Sequence, residues 1–211
     1  SWDRPFEENL AGSRGIEFSI HCDDLSPVSH FTCYLRSGQG WYSVGFMPEA
    51  SGGWQRIRID KSAANVEGDP AGWHRVDRIR LSAWRGDDKD TAFHVTDLRA
   101  FGGDARIIVV RNDTAAASQS AEARSVRQYV EVMARLLDDL GLEYNILSDT
   151  DLPHAPPSRR AVVVLPYAPD LLDEAVRELA AFIKEGGKIL ACYVLPDEIA
   201  NLVNIHVGQH I

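Results

Sequence analysis

Two fold classes in series are predicted by this sequence: an all-β jelly-roll-like sandwich over residues 1–103, then an α/β three-layer parallel-sheet domain (flavodoxin/amidotransferase-like) over residues 104–211. Three observations predict it. Apolar and polar residues alternate with period two from Gly15 to Gly102. The alternation stops at Gly102-Gly103-Asp104. Beyond it, continuous apolar runs are separated by stretches with helical spacing. The chain has 211 residues, 45% hydrophobic and 25% charged, which is enough for two cores and is not the composition of a disordered chain.

In the first half, Ile16, Phe18, Ile20 and Cys22 alternate with Glu17, Ser19 and His21. Phe31, Cys33 and Leu35 alternate with Thr32, Tyr34 and Arg36, and Gln55, Ile57 and Ile59 with Arg56, Arg58 and Asp60. Ile79, Leu81 and Ala83 alternate with Arg80, Ser82 and Trp84, and Phe93 and Val95 with His94 and Thr96. Each run reads as a half-buried strand with one face on a core. The turn-rich segments 23–27, 37–40, 51–53 and 86–90 separate them at sandwich-like spacing. Residues 62–73, which hold Gly68, Pro70 and Gly72, read as a crossover loop, and no helical stripe occurs in this half.

In the second half, Ile107-Ile108-Val109-Val110 reads as a strand buried on both faces, followed by a loop of small residues. Val126, Tyr129, Val130, Met133, Leu136, Leu137 and Leu140 are spaced as the apolar stripe of a helix over 120–140, ended by Gly141. Strands are expected at 144–147, 161–165 and 188–194, with a second helix over 171–185 stopped by Gly186-Gly187. The order implies parallel strands with crossover helices, and strands 106–110, 161–165 and 188–194 are expected at the centre. Four strands are fewer than open sheets of this kind commonly use, so the natural chain is expected to continue past Ile211.

A net charge of −9 argues against a nucleic-acid partner. The local arginines, Arg56/Arg58 and Arg75/Arg78/Arg80, alternate with apolar residues as the polar side of a strand does. No apolar run approaches the roughly 20 residues needed to cross a bilayer, so no membrane partner is expected. No signal peptide is visible, but the sequence starts at Ser1 without Met, so nothing follows from that. The cysteines Cys22, Cys33 and Cys192 do not form a disulfide framework. Cys22 and Cys33 pair if their strands are in register, and otherwise are small buried hydrophobes.

All five tryptophans lie in the first half. A sugar presents a flat C–H face ringed by hydroxyls, which suits an aromatic ring flanked by charged or amide groups. Tyr34, Arg36, Arg80 and Trp84 fall on the polar side of their strands, with Tyr42 a candidate beside them, and are the expected ligand-binding residues. Taken singly, Trp41, Trp54 and Trp73 read as core or corner residues. The Asp87, Asp88, Asp90 loop is a calcium candidate by its carboxylates, and a polar turn by its lack of an EF-hand's glycine and terminal glutamate. Asp97, with Asp3 and Glu7, is the candidate structural metal site.

Gly40-Trp41-Tyr42-Ser43, Gly53-Trp54 before Ile57 and Ile59, the run Val76 to Gly86, and Thr96-Asp97-Leu98 together resemble the β-sandwich modules attached to bacterial carbohydrate-active enzymes. The resemblance implies polysaccharide binding, or packing on a covalently linked catalytic domain, and a structural calcium ion. The run Leu179 to Ala191, with its Gly186-Gly187-Lys188, resembles the class I glutamine amidotransferase-like fold, and is most similar to the non-catalytic version in β-galactosidases. That resemblance implies an assembly role and a possible homo-oligomer. Both imply an accessory segment of a larger bacterial polysaccharide-processing, glycoside-hydrolase-like protein, periplasmic or secreted.

Ligands of parallel α/β sheets sit past the carboxyl ends of the strands, here Asn112, Asp113, Thr114, Ser148, Asp149, Asp151, Tyr167 and Tyr193. No glycine-rich dinucleotide fingerprint, phosphate-binding lysine loop or G-x-S-x-G elbow accompanies them, and no catalytic residue is assigned. A nucleotide- or flavin-binding module would hold its ligand at Asn112 to Ala116. The rival enzymatic reading is a thiol-dependent amidohydrolase or amidotransferase using Cys192. Its neighbours are bulky and apolar, and neither His206 nor His210 is tied to it by spacing.

Overall fold

A computed structural model describes residues 1–118 and 120–205, and the chain divides into two units, Ser1–Phe101 and Gly102–Ile211. The first holds eight strands: β1 (Trp2–Glu8), β2 (Gly15–Cys22), β3 (Val28–Ser37), β4 (Gln39–Phe46), β5 (Trp54–Asp60), β6 (Asn65–Asp69), β7 (Val76–Arg85) and β8 (Phe93–Phe101). They form a five-stranded sheet in the order β1-β7-β3-β4-β6 and a three-stranded sheet in the order β5-β2-β8. Every pairing in this unit is antiparallel.

The inward members of the alternating runs pack together as one sandwich-like core. Ile16, Phe18 and Ile20 from β2 and Ile59 from β5 join Phe31, Cys33 and Leu35 from β3 and Ile79 and Leu81 from β7. Each such side chain contributes roughly 1.5–3 kcal/mol by leaving water. Trp73 stacks on Tyr42 with ring centroids 3.8 Å apart, closing one part of this core. The buried Lys61 ammonium donates to the carbonyls of Leu10 and Ala11 and lies 5.1 Å from the Trp73 ring centroid. Its charge is thus satisfied by backbone dipoles and a ring face.

Two strands escape the period-two rule. β1 carries Pro5 and is largely exposed, and β6 lies inside the expected crossover loop and is nearly all polar. Both are sheet edges, where one side of the strand faces water and the alternation that marks a half-buried strand is not required. Gly38, at φ +57, lets β3 turn directly into β4. A Cβ on Gly40 would lie 2.4 Å from the Pro70 backbone nitrogen, so only glycine allows β4 to run this close to the end of β6. Cys22 and Cys33 are free, buried thiols on different sheets, and burial pushes the Cys33 thiol pKa well up.

The second unit runs β9 (Ile107–Arg111), α1 (Asp113–Ala117), α2 (Ala121–Asp139), β10 (Tyr144–Ser148), β11 (Val162–Leu165), α3 (Asp173–Lys184), β12 (Lys188–Ala191) and α4 (Asp197–Leu202). Its sheet is wholly parallel, in the order β10-β9-β11-β12. Val130, Ala134 and Leu137 of α2 pack on Val109, Tyr144, Ile146 and Val164. The alternate set, Val110, Leu147, Val163 and Leu165, is buried as well, so β9, β10 and β11 are covered on both faces. Gly141, at φ +65, follows the end of α2 in the left-handed conformation.

One expectation is corrected. The strand beginning at Lys188 is an edge of the described sheet, not a central strand, and it ends at Ala191. Leu190 is 53% exposed there. An apolar run identifies a strand but not its place in the sheet. The small residues of 113–117, expected as a loop, form α1 instead, with Asn112 as its N-cap accepting from the Ala115 amide at 2.8 Å.

Candidate functional site

The outer face of the five-stranded sheet brings most of the expected ligand residues together. Tyr34 on β3 lies opposite Arg80 on β7 and Ser43 on β4, while Arg36 lies opposite Arg78 and Trp41. At the other end of β3, His30 lies opposite Trp84. Their rings are stacked at 5.6 Å and 11°, and the Trp84 indole N–H donates to the Thr32 hydroxyl at 3.0 Å. That bond fixes a ring that is still 46% exposed. Tyr34 meets Trp41 edge-on at 6.2 Å, and the Arg80 guanidinium lies 5.0 Å from the Trp41 ring centroid. Pro27, Val28, Trp84, Arg85, Lys89 and Asp90 line a cleft of about 270 Å³ beside Trp84.

The charges of this face are compensated within it. Arg36 grips Asp77 with two bonds, 2.7 and 3.0 Å long. Arg80 and Arg78 bond the two oxygens of Asp3 at 2.7 and 3.0 Å. The Arg80 bond is the main cause holding the Asp3 carboxyl below its ordinary pKa; burial opposes it and Arg78 adds to it. Arg36 does the same for Asp77. Ser43 donates to Glu67 at 2.6 Å. Such a face offers ring surfaces and fixed hydrogen-bonding groups, with no uncompensated field to attract a polyion.

Several expectations change here. Tyr42 is corrected: it pairs with Leu35 on the inward side of β4, is 1% exposed, and stacks on Trp73 in the core. Its neighbour Trp41 takes the outer position, because successive strand residues point to opposite faces. The proposed metal triad is also corrected. Asp3, on β1, is bound by two arginines, and Asp97 lies on β8 of the other sheet at φ +56 beside a register shift. Glu7 is exposed on β1, and no group of three metal-ligating side chains forms among the described residues. The acidic loop behaves as a polar turn in which Arg85 bonds Asp88 and Asp90. Trp41, His30 and Asp77 were missed; the tight turn at Gly38 sets Trp41 opposite Arg36 and was the available signal for it.

In the second unit, the residues expected past the strand ends are mostly buried in their own network. Arg111 and Asp113 form an ion pair at 2.7 Å with both side chains out of water. Asp149 accepts from the Asp113 amide at 2.7 Å and from Ser148 at 3.2 Å through the same oxygen. Its other oxygen is buried with no hydrogen-bond partner. Burial first, then the Asp113 charge, raise the Asp149 pKa to about 6. The strand order reverses between β9 and β11, where open α/β sheets place their ligand crevice. Here the Asn112 amide donates across it to the Pro169 carbonyl and ties the two loops together. Cys192 is half-buried just past the end of β12, not inside a buried run. His206 and His210 lie outside the described residues.

No family model matches this chain, and no curated protein matches it. Among solved structures, the salicylyl-acyltransferase SsfX3 from a tetracycline biosynthetic pathway aligns at 12% identity with a TM-score of 0.20. The alignment covers 84% of this chain and 56% of that one, so the chain spans little more than half of that protein's length.

Proposed function

We propose that the chain is a non-catalytic accessory segment in which the first unit, a jelly-roll-like sandwich, binds polysaccharide on the outer face of its five-stranded sheet. The observation that carries this is the strip of Tyr34, Trp41, His30 and Trp84 set among arginines that already have carboxylate partners. Aromatic faces match the apolar C–H face of a sugar, and the fixed guanidinium and hydroxyl groups at their edges match its hydroxyls. A neutral polyhydroxylated chain suits an internally compensated face better than a polyanion does. The second unit is an amidotransferase-like domain that serves assembly. Supporting this reading, its strand-end crevice is filled by Arg111, Asp113 and Asp149 and tied by Asn112, which also disfavours a nucleotide at 112–116. The partners are a polysaccharide and a covalently linked catalytic domain of a bacterial glycoside-hydrolase-like protein.

Affinity electrophoresis through gels containing plant and algal polysaccharides tests the proposal. Retardation on at least one polymer is expected, lost with Trp84→Ala and kept with Trp54→Ala, whose exposed ring lies on the other sheet. No retardation on any polymer would leave the sandwich a purely structural support.

A further inference from the structure

We infer that a tyrosine platform in the second unit, Tyr193 with Tyr129 and Tyr167 and with Glu122 at its edge, binds an organic cation. The inference does not depend on the carbohydrate proposal, since it concerns the other unit.

The strand register builds the platform. β11 and β12 pair from Val162↔Lys188 to Leu165↔Ala191, a constant offset of 26 (188 − 162). The same offset sets Tyr167 level with Tyr193, each two residues past its strand end, on the side of a parallel sheet where ligands bind. Tyr129 of α2 packs against both, with ring centroids 5.3 Å from Tyr167 and 4.7 Å from Tyr193, and those two rings lie 6.4 Å apart. These are contact separations between rings, so the three form a platform and not an open cage. Tyr193 is 77% exposed and its backbone sits at φ +65, a conformation bulky side chains rarely adopt. The Val194 amide, donating to the Cys192 carbonyl at 2.8 Å, spans that turn. Strain that displays a large ring to solvent is the kind found at binding sites.

The charge around the rings selects the ligand. The Tyr167 hydroxyl donates to the Glu122 carboxylate, and Glu122 precedes Tyr129 by about two helical turns on α2. That bond first, then burial, and after them the charges of Glu122 and Asp170, raise the Tyr167 pKa. The faces of the three rings are themselves electron-rich. An anion is repelled here, and a neutral ring gains nothing from the carboxylates. A delocalised, weakly hydrated cation gains from both. Its source is either a small free quaternary ammonium or guanidinium compound, or an arginine side chain of another protein.

The test is a titration of the full chain, with ring-labelled tyrosine observed by NMR. The probes are choline, its uncharged isostere dimethylbutanol, and a short peptide bearing one arginine. Choline or the peptide is expected to shift the Tyr193, Tyr129 and Tyr167 signals saturably, with a dissociation constant on the order of 1–10 mM. Tyr193→Ala should weaken this at least about tenfold and Glu122→Gln about threefold. Both are exposed positions, so an unchanged amide spectrum checks folding. Tighter binding of the peptide assigns the site to a protein partner, and tighter binding of choline to a free cation. Equal shifts with dimethylbutanol, or no saturation by either cation up to about 100 mM, would overturn the inference.

Discussion

Replacing Asp149 with Asn should remove most of the pH dependence of the second unit's stability between pH 4 and pH 7. The Asp149 carboxyl is fully buried, with one oxygen on the Asp113 amide and the other without a hydrogen-bond partner. Burial and the neighbouring Asp113 charge raise its pKa from an ordinary 3.8 to about 6. The folded chain therefore keeps this proton up to about pH 6, while the unfolded chain releases it near pH 4. Between those values the native state binds more protons, so stability falls as pH rises. At about 1.4 kcal/mol per pH unit, the penalty reaches about 3 kcal/mol above pH 6 and vanishes below pH 4. Asn keeps an oxygen for the Asp113 amide and does not titrate. Urea unfolding, followed by the amide signals of β9 and β10, is the assay. The Asn variant should gain up to about 3 kcal/mol relative to the parent chain between pH 4 and pH 7. Two curves that stay parallel across this range would refute the reasoning.

Other substitutions test other parts of the structure. Arg111→Met leaves Asp113 buried without the Arg111 cation and should cost about 3–5 kcal/mol at neutral pH. Chemical denaturation at pH 7 measures the loss. Gly15→Ala would set a Cβ 2.1 Å from the Ile59 carbonyl oxygen, forcing β2 and β5 apart, and should cost about 1–3 kcal/mol in the first unit. Tryptophan fluorescence follows that unit alone, because all five tryptophans lie in it. Asp3→Asn frees Arg78 and Arg80 at an exposed pair and should change stability by less than about 1 kcal/mol, with the difference shrinking in high salt.

The parts of the fold most legible in the sequence are those in which burial imposes a period. Ile16, Phe18 and Ile20 must all face inward for β2 to fold, so their spacing shows in the sequence. The same holds for Val126, Val130, Ala134 and Leu137 on α2. Edge strands β1 and β6 bury one side at most and carry no such record. The position of β12 at the sheet edge is set by strand order, which local pattern does not encode. Tyr34, Arg36, Arg80 and Trp84 were readable as one face from alternation alone. Tyr42 was misplaced because its parity relative to β3 depends on the two-residue turn at Gly38, and Trp41 was missed for the same reason. The Asp3 ion pairs join β1 to β7 across some 75 residues, a distance over which composition says nothing.

The most direct test of the carbohydrate-binding account is the set of five tryptophan indole N–H signals, recorded while a retarding oligosaccharide is titrated in. The account predicts that Trp84 and Trp41 shift saturably, while the buried Trp73 and the exposed Trp54 of the other sheet stay in place. Shifts confined to Trp54, or equal small shifts of every exposed indole without saturation, would contradict it.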